Sequence, residues 1–102
     1  MKFSISMPNP VYLANKNPFK KSNFETKEPI VTANGDYLWQ VDGVAPNERG
    51  IEEVSVTIES QKNPVEGLEL MTPLAFKDLV LTIGKMNGKK FYSLKAASVK
   101  AA

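Results

Sequence analysis

Short stretches of alternating apolar and polar residues, separated by turn residues, run through this chain. The clearest lies at residues 53–60, where Val54, Val56 and Ile58 alternate with polar residues. A period of two is typical of a β-strand with one face on the core and the other in solvent. Residues 2–7 alternate in the same way, whereas no long stretch has helical periodicity. Both segments are therefore predicted to be strands.

Two Asn-Gly pairs predict tight hairpins, because these residues adopt the positive φ angles of a type I′ turn. The first pair, at 34–35, joins residues 28–33 to residues 36–44. A two-residue turn there pairs Ile30 with Trp39 and leaves both faces of the hairpin partly apolar. We therefore expect both faces to be covered, with Trp39 in the core rather than stacked on a ligand.

The second Asn-Gly pair, at 87–88, predicts the register of the last hairpin. A two-residue turn pairs Ile83 with Tyr92 on a face that continues into the core. It also pairs Gly84 with Phe91 on the opposite, exposed face. Phe91 is then a platform for stacking nucleobases, a cover for the glycine, or a contact with another subunit.

The remaining segments are read from their turn residues. Residues 8–23 hold three prolines and four asparagines and are predicted to form a loop, with a short pairing at 11–13. A polar loop is expected at 45–50 and a short strand at 68–71. Residues 74–78 are predicted to form a helical turn, the only helix expected.

Five or six short strands with two tight hairpins indicate a single all-β domain spanning the 102 residues, either a small barrel or a sandwich. The chain has no cysteine or histidine, and it has no phosphate-binding glycine loop or nucleophile motif. The sequence thus predicts a non-enzymatic protein without a metal, cofactor or small-molecule substrate. No apolar run approaches the roughly 18 residues of a membrane span, so we expect a cytoplasmic protein with no membrane partner.

Charge is segregated along the chain although the net charge is only +2. Residues 1–24 and 79–102 carry lysines and no acid, and all eleven acidic residues lie in 25–78. If the two basic ends meet in the fold, they form the one-sided positive surface that is expected of a polyanion-binding protein. Solvated termini without a partner are the alternative.

Binding single strands with little sequence preference requires cations along the backbone and aromatic faces for the bases. The last hairpin carries both, and Lys85 and Lys90 face each other at its tip, a repulsive arrangement that favours a bound anion. The loop at 16–21 repeats the combination, with Phe19 either exposed for binding or held against the core. The predicted nucleic-acid-binding residues are Lys16, Phe19, Lys20, Lys21, Tyr37, Arg49, Lys62, Lys85, Lys89, Lys90, Phe91 and Lys95.

Four segments in this order carry a family resemblance: the glycine-turn hairpin at 33–41, the alternating strand at 53–58, the glycine-led strand at 67–70 and the terminal hairpin at 87–96. The chain resembles the small OB-fold single-stranded-DNA-binding proteins of filamentous phages, plasmids and conjugative elements. The resemblance implies a five-stranded OB-type barrel with protruding hairpins, often a two-fold dimer, in a bacterial host cell. It also implies cooperative coating of single-stranded DNA during replication or transfer, with Tyr37, Phe91 and the flanking lysines in the binding surface.

A second hypothesis is a β-rich protein-interaction or assembly module without a nucleic-acid role. The charge segregation is required by the first hypothesis and incidental to the second. RNA is an open alternative to DNA, because stacking on aromatic side chains serves both. A homodimer is expected from the first hairpin, since so small a barrel can cover only one of its two apolar faces.

Overall fold

The computed structural model describes residues 2–5, 10–22 and 25–102. These residues form β-strands and no helix, which confirms the all-β prediction; none of them forms a long apolar helix that could cross a membrane. The strands, numbered in chain order, are β1 Lys2–Ser4, β2 Val11–Leu13, β3 Phe19–Lys20, β4 Tyr37–Asn47, β5 Gly50–Ser60, β6 Pro73–Lys77, β7 Val80–Met86, β8 Lys89–Ala96 and β9 Ser98–Ala101.

The strands form one curled, half-barrel sheet. Their order is β1-β7-β8-β5-β4-β2-β6-β9, with β3 paired to β4 beside this path. All the pairings are antiparallel except that of β5 with β8, which is parallel. The described residues thus contain nine strands where the sequence predicted five or six.

Strands β4 and β5 form a long hairpin that is paired along its whole length. Both strands continue through the segment predicted to be a polar loop at 45–50, so that prediction is wrong. Only a two-residue turn remains, in which the Asn47 side-chain oxygen accepts a hydrogen bond from the backbone N–H of Arg49 at 2.8 Å. The predicted alternation along β5 is confirmed, with Val56 and Ile58 buried and Ser55 exposed.

The β7–β8 hairpin has the predicted register, with Ile83 opposite Tyr92 and Gly84 opposite Phe91. Asn87 and Gly88 have φ angles of 53° and 79°, the positive values that a type I′ turn requires. Turn chemistry alone was therefore sufficient to fix this part of the fold.

The register predicted for the first hairpin is wrong by one residue. Of the two residues in the predicted turn, Asn34 and Gly35, only Gly35 has a positive φ angle. The backbone N–H of Thr32 donates to the carbonyl oxygen of Asp36 at 2.8 Å. The loop between them therefore has three residues rather than two. A type I turn followed by a left-handed glycine closes such loops. Val31 consequently bridges to Tyr37. Trp39 pairs with residues of β3 and β5 instead of Ile30.

Two other element predictions are corrected. The segment predicted to be a helical turn at 74–78 is strand β6, because it finds partners on both sides in β2 and β9. The segment predicted to be a strand at 68–71 forms turns, and the positive φ angle of Met71 interrupts any extended conformation there. Within the predicted loop at 8–23, the pairing at Val11–Leu13 is confirmed and β3 adds a second one.

The core lies under the centre of the sheet. Its buried residues come from strands β2, β4, β5, β6 and β8 and from the adjoining loops, and they are Leu13, Val41, Val56, Ile58, Val65, Leu74, Leu79 and Ala96. Trp39 is 9% exposed, and its indole N–H donates to the Ser60 carbonyl oxygen at 2.9 Å, so its predicted core position is confirmed. Of the strand predicted at 2–7, residues 2–4 form β1, and Ser6 and Met7 lie outside the described residues.

Candidate nucleic-acid interface

Pairing register assigns side chains to the two faces of the sheet, because paired residues point to the same side. Trp39 and Val56 point to the core. On the opposite side, one row crosses four neighbouring strands and consists of Phe19, Gln40, Thr57 and Lys95. We call this side the outer face. At about 4.8 Å per strand, Phe19 and Lys95 are roughly 14 Å apart across it.

One side of the outer face, on strands β1, β7 and β8, is cationic. Alternation along β8 brings Lys89, Phe91 and Lys95 to this side, and the pairing of Lys2 with Thr82 adds a lysine from β1. These three strands carry no acidic residue. The basic ends of the chain therefore meet in the fold, and we call Lys2, Lys89, Phe91 and Lys95 the lysine flank.

Phe91 covers the glycine of the neighbouring strand, which is one of the three alternatives that the sequence left open. A Cβ atom built on Gly84 would lie 2.5 Å from the Phe91 Cζ atom, which is too close for any other residue unless the ring moves. The ring nevertheless remains 40% exposed. It can therefore cover the glycine and still offer an aromatic surface to a ligand.

The centre of the outer face, on β4 and β5, is polar and acidic. The Asp42 Oδ1 atom accepts hydrogen bonds from the Ser55 hydroxyl at 2.8 Å and from the Gln40 amide at 3.0 Å. We call these three residues the polar floor; with Asn15 and Glu53 they line a surface depression of about 470 Å³. At the boundary with the lysine flank, the Lys95 ammonium lies 3.8 Å from a carboxylate oxygen of Glu59. The side chain of Lys95 is 55% exposed and that of Glu59 26% exposed, so this partly exposed pair contributes little to stability and Lys95 can contact another anion.

The predicted burial of Tyr92 in the core is wrong. Its side chain is on the core side of the hairpin, as the register requires, but it is 68% exposed. The hairpin tip extends beyond the core, which reaches Ala96 but not this far along β8. Lys85 and Lys90 are directly opposite each other on this same side, away from the outer face.

Lys20 and Tyr37 contact each other. The Lys20 ammonium lies 4.1 Å from the centroid of the Tyr37 ring and 5.3 Å from that of Trp39, on the side of the sheet to which Trp39 points. The backbone of the next residue, Lys21, donates to the carbonyl oxygen of Leu38. This group therefore lies on the side of the sheet opposite the outer face, and the ring of Tyr37, which the sequence analysis placed in the binding surface, already carries an ammonium.

The other predicted cations are dispersed. The Lys16 ammonium pairs with a carboxylate oxygen of Glu69 at 3.2 Å. Arg49 lies in the β4–β5 turn, eight residues from Thr57 and hence roughly 27 Å along the strand. Lys62 is exposed just after β5. The structure thus unites Phe19, Lys89, Phe91 and Lys95 on one face and leaves these three apart.

Sequence reasoning missed Lys2 and the polar floor. The available signal for Lys2 was its position in an acid-free N-terminal segment, whereas the floor depends on the β4–β5 register.

In the described part of the chain, no three His, Cys, Asp or Glu side chains form a group that could hold a metal ion. No family model matches the chain, and the comparisons with curated proteins and with solved structures found no match.

Proposed function

We propose that this protein binds single-stranded DNA on its outer face, coating it with little overall sequence preference during replication or transfer of a phage or mobile element. One observation carries the proposal: exposed Phe19 and Phe91 lie on the same side of one sheet as three lysines. Aromatic platforms combined with cations are the components that sequence-tolerant single-strand binding requires.

The two zones of the outer face match the two parts of a nucleotide strand. Phosphates are attracted to the lysine flank, which carries no acid, and repelled by the carboxylates of Asp42, Glu53 and Glu59 on β4 and β5. Bases, which are neutral and hydrogen-bonding, suit the polar floor. The acidic middle of the sequence is therefore compatible with a polyanion ligand, because it contributes to the base-facing zone.

The strand connections support an OB-type barrel as the underlying architecture. Along the path β2-β4-β5-β8-β7-β1, the parallel pair β5–β8 corresponds to the third and fifth strands of such a barrel, and β1 and β2 together to its first strand. OB-fold proteins bind oligonucleotides on strands 2 and 3 and on the loops that follow strands 1 and 4. The equivalent parts here are β4, β5, the segment containing Phe19 and the β7–β8 turn.

Exposed apolar side chains favour self-association and keep a protein-interaction module as the second candidate function. Val31 is 56% exposed beside the first turn, and Ile30 is also exposed. Exposed apolar groups that are close together are typical of protein interfaces. We propose a symmetric dimer in which a second copy covers this segment.

A direct test is a fluorescence anisotropy titration of a labelled thymine oligonucleotide of about 20 nucleotides, a length that spans one or more OB-fold sites. The protein should bind it at low salt and bind a duplex of the same length more weakly. Phe19→Ala should weaken binding several-fold. Phe3→Ala is the matched control, because Phe3 is equally an exposed phenylalanine but pairs with Leu81 on the core side. Absence of binding to the single strand at low salt would refute the proposal.

A further inference from the structure

We infer that the polar floor reads bases and prefers guanine, with the Asp42 carboxylate as its acceptor. This inference rests on the proposed single-strand binding and adds a base preference to it. It depends on three observations: how the carboxylate is held, what surrounds it, and which base complements it.

The hydrogen bonds that hold the Asp42 carboxylate all involve one of its two oxygens. Its Oδ1 atom accepts from both Ser55 and Gln40, which fixes the orientation of the group. Its Oδ2 atom has no hydrogen-bond partner among the described residues, and the residue is half-buried at the wall of the 470 Å³ depression. A carboxylate in this condition presents free lone pairs to whatever enters.

The neighbouring hydroxyl adds a second acceptor. The Ser55 hydroxyl donates its only hydrogen to Asp42 and accepts from the Gln40 amide at 3.4 Å, so its oxygen has one lone pair left for a ligand. The depression is therefore lined by two acceptor groups that are 2.8 Å apart at their closest atoms, the Asp42 carboxylate and the Ser55 hydroxyl oxygen.

Among the described residues, no cation pairs with the Asp42 carboxylate. The two salt bridges among the described residues involve Glu59 and Glu69, so Asp42 has no lysine or arginine partner there. A phosphate is repelled from this position, and a group that donates hydrogen bonds is attracted to it.

Guanine is the base that fits adjacent acceptors. Its Watson–Crick edge carries the N1–H and the N2 amino group next to each other, so it offers two neighbouring donors. In adenine and cytosine a ring nitrogen acceptor lies beside the amino group, and thymine has one donor between two carbonyls. Single-stranded bases expose these edges to a protein, so the difference can be read.

The experiment compares three labelled oligonucleotides of equal length: a thymine tract, an alternating thymine–guanine strand, and the same strand with hypoxanthine in place of guanine. Hypoxanthine lacks only the 2-amino group. The alternating sequence avoids runs of guanine. The wild-type protein should bind the guanine strand about tenfold more tightly than the hypoxanthine strand, the discrimination expected of one paired donor–acceptor contact.

Asp42→Asn should abolish this preference, measured as the ratio of guanine-strand to hypoxanthine-strand affinity within the same variant. The asparagine oxygen can still accept from Ser55 and Gln40, so the fold should be retained, which a thermal melt verifies. Glu53→Gln is the matched control, because it removes the same charge from the same depression outside the hydrogen-bonded group and should keep the preference.

The outcomes separate the two proposals. If the thymine tract binds and guanine and hypoxanthine strands bind equally, the guanine inference is refuted and the single-strand function stands. If Glu53→Gln, and not Asp42→Asn, removes the preference, the assignment to Asp42 is refuted. If no oligonucleotide binds, both proposals are refuted.

Discussion

The ring of Phe91 occupies the space that a side chain would take at Gly84 on the neighbouring strand, with 2.5 Å between its Cζ atom and the position of a Cβ atom there. One part of the ring is thus held by the backbone of β7 while 40% of the side chain stays exposed. An aromatic platform fixed in this way loses little conformational freedom when a base stacks on it.

Phe91→Ala should therefore weaken single-strand binding and leave the fold intact. The side chain is on the outer face, so its truncation opens no cavity in the core. The loss should be about 1–3 kcal/mol for each base that stacks there. Anisotropy titrations give the affinity, and a thermal melt within a few degrees of wild type excludes unfolding as the cause.

The same hairpin provides the control in Tyr92→Ala. Because Tyr92 is exposed, its truncation should change the free energy of unfolding by no more than about 0.5 kcal/mol, as for other surface substitutions. Equal affinity losses in Phe91→Ala and Tyr92→Ala would mean that the hairpin tip binds without distinguishing its two sides.

Binding should weaken steeply with salt. If the three lysines of the lysine flank contact phosphates, the slope of log affinity against log salt concentration is about −2, at roughly −0.7 per contact on a single strand. Lys89→Ala and Lys95→Ala should each make the slope less steep by about 0.7. Lys16→Ala should not change it, because Lys16 lies in the segment between β2 and β3, apart from the lysine flank. Equal changes of slope in all three variants would argue against a localised lysine flank.

Lys20→Ala should affect stability more than binding. The ammonium lies over the Tyr37 ring, an interaction worth about 0.5–1 kcal/mol at an exposed site. Chemical denaturation should report a loss of this size, and Lys20→Arg should restore it, since arginine also binds aromatic faces. A large loss of affinity with unchanged stability would show instead that Lys20 binds phosphate.

The protein should sediment as a dimer at micromolar concentration. Val31→Lys should shift it to a monomer without a change in thermal midpoint, because a charge would then be buried in the contact while the isolated chain leaves the residue exposed. A wild-type monomer at high micromolar concentration would contradict the prediction.

The sequence was most informative where structure is local. The register of the β7–β8 hairpin followed from the positive φ angles of Asn87 and Gly88 alone. The same dipeptide at 34–35 misled by one residue, because the choice between a two- and a three-residue loop depends on the residues around it, here Thr32 and Asp36. This shift of one residue in the register removes the predicted pairing of Trp39 with Ile30.

Other features depend on distant pairing and could not be read from any window of sequence. Strand β6 exists because β2 and β9 flank it. Alternation predicted the side on which Tyr92 lies, but the distance over which the core extends beneath the hairpin depends on the whole sheet. The polar floor likewise requires Gln40 and Asp42 to meet Ser55 from the adjoining strand.

The pairing of β1 with β7 has a consequence for synthesis of the chain. Lys2 and Thr82 are paired although eighty positions separate them, so β1 has no partner in β7 until those eighty further residues have been synthesised. Contacts of such separation form late, after the entropy of closing a long loop has been overcome. The lysine flank is therefore incomplete until β7 and β8 have been synthesised, and a shorter nascent chain lacks this cationic surface.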